Sequence, residues 1–389
     1  MIKPADRLAS VNEYYFSRKL KEVAAMNAQG MDIISLAIGS PDMPPSDSTI
    51  ETLCNEARKA DAHGYQPTAG IPQLRQAMAN FYKRWYNVEL NPNNEIQPLI
   101  GSKEGILHVT LAFVNPGDGV LVPNPGYPTY TSLSKLLGAR IVNYDLVENN
   151  GWQPDFEQLE QMDLTGIKLM WTNYPNMPTG GQAQMETYER LVRFAKEHDI
   201  VVVNDNPYSF ILNEGEKLSI LQVEGAKDCC IEFNSMSKSH NMPGWRVGML
   251  ATNSEFISWI LKVKSNIDSG TFRALQLAAA QAYDNTEEWH SVANIQTYAN
   301  RRAMAREIMD TLHCSYDKNQ VGMFLWGRIP DSYSNVEELT ERVLHEARVF
   351  ITPGFIFGSN GERYLRISLC AKDEKFMEAV ARIKALEWQ

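Results

Sequence analysis

Between residues 96 and 251 short apolar and β-branched runs recur at intervals, separated by longer stretches of helical pattern. The runs are Ile96 to Ile100, Val120 to Val122, Arg140 to Tyr144, Lys168 to Asn173, Ile200 to Asn204, Cys229 to Asn234 and Val247 to Ala251. Several are apolar nearly throughout, as strands buried on both faces must be. Strands alternating with helices imply an α/β fold: a mostly parallel sheet with crossover helices on both faces. Such sheets bind ligands outside the carboxyl ends of their strands, so the loops that follow these runs are where chemistry is to be sought.

At 389 residues the chain exceeds the size at which one core usually stops growing, so a large domain with a smaller one is expected. Beyond residue 251 the texture changes. Helical stretches run from Glu255 to Lys264 and Phe272 to Tyr283, and a long polar one from about Glu287 to Leu312 connects onward. Strand patterns at Gly322 to Gly327 and Tyr364 to Leu369 then mix with helical ones at Val336 to Ala347 and Lys375 to Leu386, as in a small α+β domain. The amino-terminal segment Asp32 to Asp42 is expected to pack there. The expected division is a large domain over residues 48–285 and a small one made of 1–47 and 286–389.

Composition narrows the function classes. A hydrophobic fraction of 44% with 22% charged residues is ordinary for a globular protein, and no run of about 18 apolar residues signals a membrane span. The start, Met1 to Arg7, lacks an apolar signal core, and a cytoplasmic location is expected. Five cysteines without CxxC spacing read as reduced residues, and seven scattered histidines lack metal-ligand spacing, so no metal is expected. The net charge of −10 offers no basic face for nucleic acid.

The segment Ser235-Met236-Ser237-Lys238-Ser239-His240-Asn241-Met242-Pro243-Gly244-Trp245-Arg246-Val247-Gly248 follows the run Cys229 to Asn234. A lysine amine is a covalent catalyst only if burial or a neighbouring cation lets it shed its proton near neutral pH. Lys238, just past a buried strand and with Arg246 folding back across a Pro-Gly turn, has both conditions to hand. The guanidinium forks onto phosphate, and Ser235 and Ser237 add hydroxyls. A Schiff-base lysine beside a phosphate clamp suits pyridoxal 5'-phosphate.

This segment resembles the lysine-site signature of the fold-type I pyridoxal-phosphate enzymes, in particular the class I/II aminotransferases, with Ser-x-Ser-Lys and an Arg eight residues on. Other pieces of the chain match the same family in order. Asp205-Asn206-Pro207-Tyr208 resembles its Asp-x-x-Tyr, which implies that Asp205 pairs the pyridine nitrogen and Tyr208 bonds the phenolate oxygen. In Ile100-Gly101-Ser102-Lys103-Glu104-Gly105, the resemblance places Ser102, Lys103 and Glu104 at the phosphate-cradling turn, mainly through main-chain groups. Tyr127, in Pro125-Gly126-Tyr127-Pro128-Thr129-Tyr130, takes the position that stacks on the cofactor ring. Arg366, in Arg366-Ile367-Ser368, takes that of the arginine holding the substrate's α-carboxylate, and an arginine within an apolar strand is costly unless paired. Gly39, in Gly39-Ser40-Pro41-Asp42, takes the position of the family's glycine whose backbone lies along the substrate. Tyr65 matches a tyrosine that reaches the neighbouring subunit's phosphate, which implies a homodimer with shared sites.

One departure is plain. The family places Asn directly before Pro-Thr-Gly, bonding the phenolate oxygen, whereas Asn173-Tyr174-Pro175-Asn176-Met177-Pro178-Thr179-Gly180 has Met177 there, and a thioether cannot donate a hydrogen bond. Asn176 or Asn173 is expected to substitute, or Tyr208 to act alone. The reading is an aminotransferase that passes an amino group from an L-amino acid to a 2-oxo acid in a ping-pong cycle, with Lys238 moving the proton at the α-carbon. Local wording resembles the aspartate and LL-diaminopimelate branch. A carbon-sulfur β-lyase would use the same residues. A non-catalytic cofactor sensor is disfavoured by the acidic charge.

Overall fold

The structure, a computed structural model, describes residues 2–10, 15–287 and 293–388. Its strands in chain order are β1 (Ile34–Ser35), β2 (Ile96–Leu99), β3 (Gly119–Asn124), β4 (Arg140–Asp145), β5 (Ile167–Thr172), β6 (Val201–Asp205), β7 (Cys230–Ser235), β8 (Gly248–Ala251), β9 (Phe324–Arg328), β10 (Val349–Phe350), β11 (Thr352–Pro353) and β12 (Tyr364–Ser368). All seven strands expected between residues 96 and 251 form one sheet, in the order β2-β8-β7-β6-β5-β3-β4. The five strands β3 to β7 run parallel, and β8 alone runs against its neighbours β7 and β2.

Alternate residues of the central strands enter two separate cores, which is why these runs carry so few polar residues. Leu121, Met170, Val202 and Met249 face one side, where Phe81 of helix Pro72–Tyr86, Leu191 of helix Met185–His198 and Ala279 of helix Arg273–Asp284 meet them. Val120, Leu169, Val203 and Leu250 face the other, against Ile106 and Val109 of helix Ser102–Phe113 and Ile257 and Ile260 of helix Ser254–Lys264.

Two small sheets accompany the large one. β11, β12 and β9 form an antiparallel sheet, and β1 pairs in parallel with β10. Backbone bonds from Leu36 N to Phe350 O and from Ser368 N to Leu36 O hold the chain after β1 against these strands and carry Gly39 to the large sheet. The long polar helix expected from Glu287 falls partly on residues 288–292, outside the described residues; beyond them a π-helical turn, Ala293–Tyr298, leads into helix Ala299–Thr311.

Candidate active site

The order of the sheet explains why distant motifs meet. β3 connects outward to β4, and the chain then returns to place β5 on the other side of β3, making a switch point at which a crevice opens. At that edge β3 ends on Asn124, β5 on Thr172, β6 on Asp205 and β7 on Ser235, and β2 ends just before Gly101. Because β8 is antiparallel, its first residue lies there too, with Arg246 two residues earlier. A cavity of 350 Å³ at this edge is lined by Gly39, Ser102, Lys103, Tyr127, Asp205, Tyr208, Ser235, Ser237, Lys238, Arg246 and Arg366, eleven of the residues expected from sequence. Asp205 is the only carboxylate among its lining residues.

Asp205 is buried, and its Oδ2 accepts a hydrogen bond from the Tyr130 hydroxyl at 2.8 Å. Tyr130 is itself fixed by stacking on Trp171, with ring centroids 4.9 Å apart and planes 2° apart. Burial pushes the Asp205 carboxyl up to about 6, against the Tyr130 bond, which lowers it. Its second oxygen, Oδ1, is buried and has no hydrogen-bond partner among the described residues. A buried acceptor held rigidly and left open suits a protonated ring nitrogen. Tyr130 thus positions Asp205, a role the sequence reading did not assign, although Tyr130 closes the Pro-x-Tyr-Pro-x-Tyr motif.

Lys238 lies on the short helix Met236–Ser239, and its Nζ donates to the Gly39 carbonyl. Burial lowers its pKa; Cys370 opposes the shift and the cations Arg366 and Arg246 add to it. Arg246 adopts a left-handed backbone, φ 56°, which turns its side chain back over the turn between β2 and the helix Ser102–Phe113. The residue at that turn is Gly101, φ 75°, and a Cβ there would lie 2.1 Å from Arg246 Nη2. Only glycine permits both the backbone angle and the approach. As N-cap, Gly101 also has no side chain to occupy the first N–H groups of the helix, leaving them available to an anion.

Arg366 alternates along β12 with fully buried Leu365 and Ile367 and faces the cavity. Its guanidinium carbon lies 4.0 Å from the Phe324 ring centroid and 4.6 Å from that of Phe357, and Nη2 donates to Ala37 O at 2.8 Å. Gly39 packs on the same Phe324 ring, which a Cβ would approach to 2.6 Å. Phe324 therefore spaces Gly39 from Arg366, another role the sequence reading missed.

Three expected residues have side chains elsewhere. Asn176 turns into its own loop, donating to Asn173 O at 3.1 Å and accepting from the Thr179 hydroxyl at 2.7 Å, so it does not replace the missing amide. Asn173 does line the cavity, but its amide donates to Asp205 O and accepts from Met177 N. Met177 occupies the wall itself, its sulfur 3.5 Å from Arg366 Nη1, and the Tyr208 hydroxyl is left as the side-chain donor on that side. Glu104 bends away from the cavity toward Ile100, His108 and Lys264. Tyr65 is 94% exposed and lies outside the cavity lining. A second cavity, of 610 Å³, lies between the β3–β4 region and residues 355–359 and shares only Tyr127 with the set.

The open Asp205 oxygen, the glycine turn under Arg246 and the low-pKa lysine together fit pyridoxal phosphate, and the comparisons agree. The model of aminotransferase class I and II matches residues 31–383. LL-diaminopimelate aminotransferase of Oleidesulfovibrio alaskensis is 41% identical over 385 residues, 98% of each chain, and that of Aquifex aeolicus 39% identical over the full length of both. Among solved structures, apo-BacF of Bacillus subtilis superposes with a TM-score of 0.93 at 35% identity, covering 100% of this chain and 98% of that one. Aspartate aminotransferase of Thermus thermophilus with maleate does so at 0.91 and 26%, covering 99% and 100%.

Proposed function

Since the chain belongs to the class I and II aminotransferases and is a pyridoxal-phosphate-dependent transaminase, we propose that its amino donor is LL-diaminopimelate and that Lys238, Asp205, Arg246 and Arg366 carry the transfer. Full-length identity near 40% to enzymes named for that substrate supports the donor. The observation that carries the site assignment is the convergence of those four side chains on one cavity.

When bound, pyridoxal phosphate supplies an electron sink conjugated to the substrate's α-carbon. Lys238 provides the tethering amine and, once released, shuttles the α-proton; burial lowers its pKa, which favours the neutral amine that must take that proton. Asp205, with Oδ1 open, would keep the ring nitrogen protonated. Arg366, held against the rings of Phe324 and Phe357, would receive the α-carboxylate. Arg246, Ser237 and the uncapped N–H groups at the start of helix Ser102–Phe113 would take the phosphate, Ser235 caps the lysine helix by accepting from Ser237 N, and Tyr127 would lie against the ring.

The assembly is a homodimer in which Tyr65 reaches the neighbouring subunit's phosphate. The full exposure of this aromatic, with Ile267 and Phe272 also exposed, supports that reading. The division into domains at residues 48 and 285 is proposed with it, as is a cytoplasmic location, for which the five free cysteines speak. Among the described residues no helix is long and apolar enough to cross a membrane.

An amino-donor screen with the holoenzyme and a 2-oxo dicarboxylic acid as acceptor tests the substrate. LL-diaminopimelate should be turned over with the highest kcat/KM. A higher value for aspartate, alanine or an aromatic amino acid would overturn the assignment and leave the transaminase chemistry standing.

A further inference from the structure

Beneath the turn from β2 into helix Ser102–Phe113 lies a cluster of four ionisable side chains, none of which lines the cavity. Lys264 Nζ sits 2.7 Å from Glu104 Oε1 and 2.8 Å from both Asp268 oxygens, and His108 Nε2 lies 2.5 Å from Glu104 Oε1 and 3.6 Å from Asp268 Oδ2. His108 and Lys264 are almost wholly buried, at 0% and 3% side-chain exposure. Glu104, His108 and Asp268 have the donor set of a metal site, but the Lys264 ammonium already stands between the two carboxylates where a cation would go. His108 Nδ1 is buried without a hydrogen-bond partner, which costs less as a lone pair than as an N–H, so Nε2 carries the proton and donates to Glu104.

Burying such charges is expensive, and an apolar contact would serve stability as well. What the cluster achieves is local. Glu104 is the third residue of the helix whose first turn faces the cavity, and its other oxygen, Oε2, accepts the N–H of Ile100 at 2.6 Å. The carboxylate thereby grips the chain on the far side of Gly101, fixing the path through the turn that presents Ser102 to the cavity and Gly101 to Arg246. Its charge would repel a phosphate, and Lys264, delivered by the end of helix Ser254–Lys264 and shared with Asp268, opposes it. The 160 residues separating Glu104 from Lys264 make this a long-range tie across the domain.

We propose that Glu104, His108, Lys264 and Asp268 are positioning residues for the cofactor's phosphate: they lock the Gly101 turn in its anion-binding shape, with Lys264 opposing the charge of the carboxylate that does so. This rests on the phosphate lying at that turn, as proposed above.

The test uses apo-enzyme and two ligands, pyridoxal phosphate and pyridoxal, whose dissociation constants are read from visible absorbance. In Glu104→Gln the amide oxygen can take the Ile100 N–H or the Lys264 ammonium but not both, since its other end is a donor. Affinity for pyridoxal phosphate should fall by about tenfold or more, and that for pyridoxal by less than about twofold. Equal losses on both ligands, no loss, or tighter binding of pyridoxal phosphate, as removal of a bare repulsive charge would give, overturns the proposal. Asp268→Asn, farther from the turn, reads the same ratio should Glu104→Gln fail to fold. A wild type that binds both ligands equally would refute the phosphate assignment and this inference with it, whereas a normal wild-type ratio unchanged by the substitutions refutes the inference alone.

Discussion

Asp205 is the residue whose environment most clearly awaits something else. Burial pushes its carboxyl up to about 6 from the ordinary 3.8, and one of its oxygens is open. A carboxyl whose folded pKa exceeds its unfolded one destabilises the fold once ionised: the penalty is absent below about pH 4, grows to about pH 6 and is complete above. The cofactor-free Asp205→Asn protein should therefore be more stable than cofactor-free wild type at neutral pH, by on the order of 3 kcal/mol, with the gap closing as pH falls toward 4. Denaturant melts at several pH values measure this, and a variant less stable at neutral pH would contradict the burial account. The same variant should bind pyridoxal phosphate more weakly. Met177 supports a second residue-scale expectation. A thioether donates nothing where the family's amide does, so Met177→Asn should lower the midpoint of the pH-dependent change in the bound cofactor's visible band, because an added donor favours the more anionic form. An unmoved midpoint would mean that Tyr208 alone sets it.

Among the elements, the turn from β2 into helix Ser102–Phe113 is the most constrained. Gly101→Ala adds a Cβ in left-handed backbone and drives it into Arg246, so cofactor affinity should drop by roughly tenfold or more while circular dichroism stays unchanged. Full retention of affinity would show that Arg246 moves freely. Elements of this kind also mark the boundary of what the sequence disclosed. The strands were legible because two-sided burial leaves apolar runs, and Asp205, Lys238 and Arg246 were legible because each sits within four residues of such a run. The side-chain direction of Glu104 was not, since Lys264 and Asp268, which draw it from the cavity, are remote in sequence. Asn176 misled for the opposite reason: its partners Asn173 and Thr179 are three residues away on either side, and a short-range turn competes with any longer reach. Tyr130 and Phe324 act through neighbours rather than on a ligand, and no local pattern announces that.

For the whole molecule, the reading of Tyr65 implies that neither subunit has a complete site. Tyr65→Ala and Lys238→Ala should each be strongly impaired, Lys238→Ala by roughly 10²–10⁴-fold or more. Mixing the two after reversible dissociation should restore activity, because one site of each hybrid then receives Lys238 from one chain and Tyr65 from the other. No recovery, with hybrid formation verified by mass, would place Tyr65 outside the site.

On the proposed assignment, Lys238, Asp205 and Arg366 together pass an amino group rather than eliminate one. A single-turnover half-reaction tests it most directly: holoenzyme is mixed with LL-diaminopimelate in the absence of any 2-oxo acid, and the cofactor's visible band and the products are followed together. The band should be lost with one equivalent of 2-oxo acid formed per site and no free ammonia, and no such change should occur in Lys238→Ala. Continuous release of ammonia, or a band that no amino acid alters, would contradict that assignment.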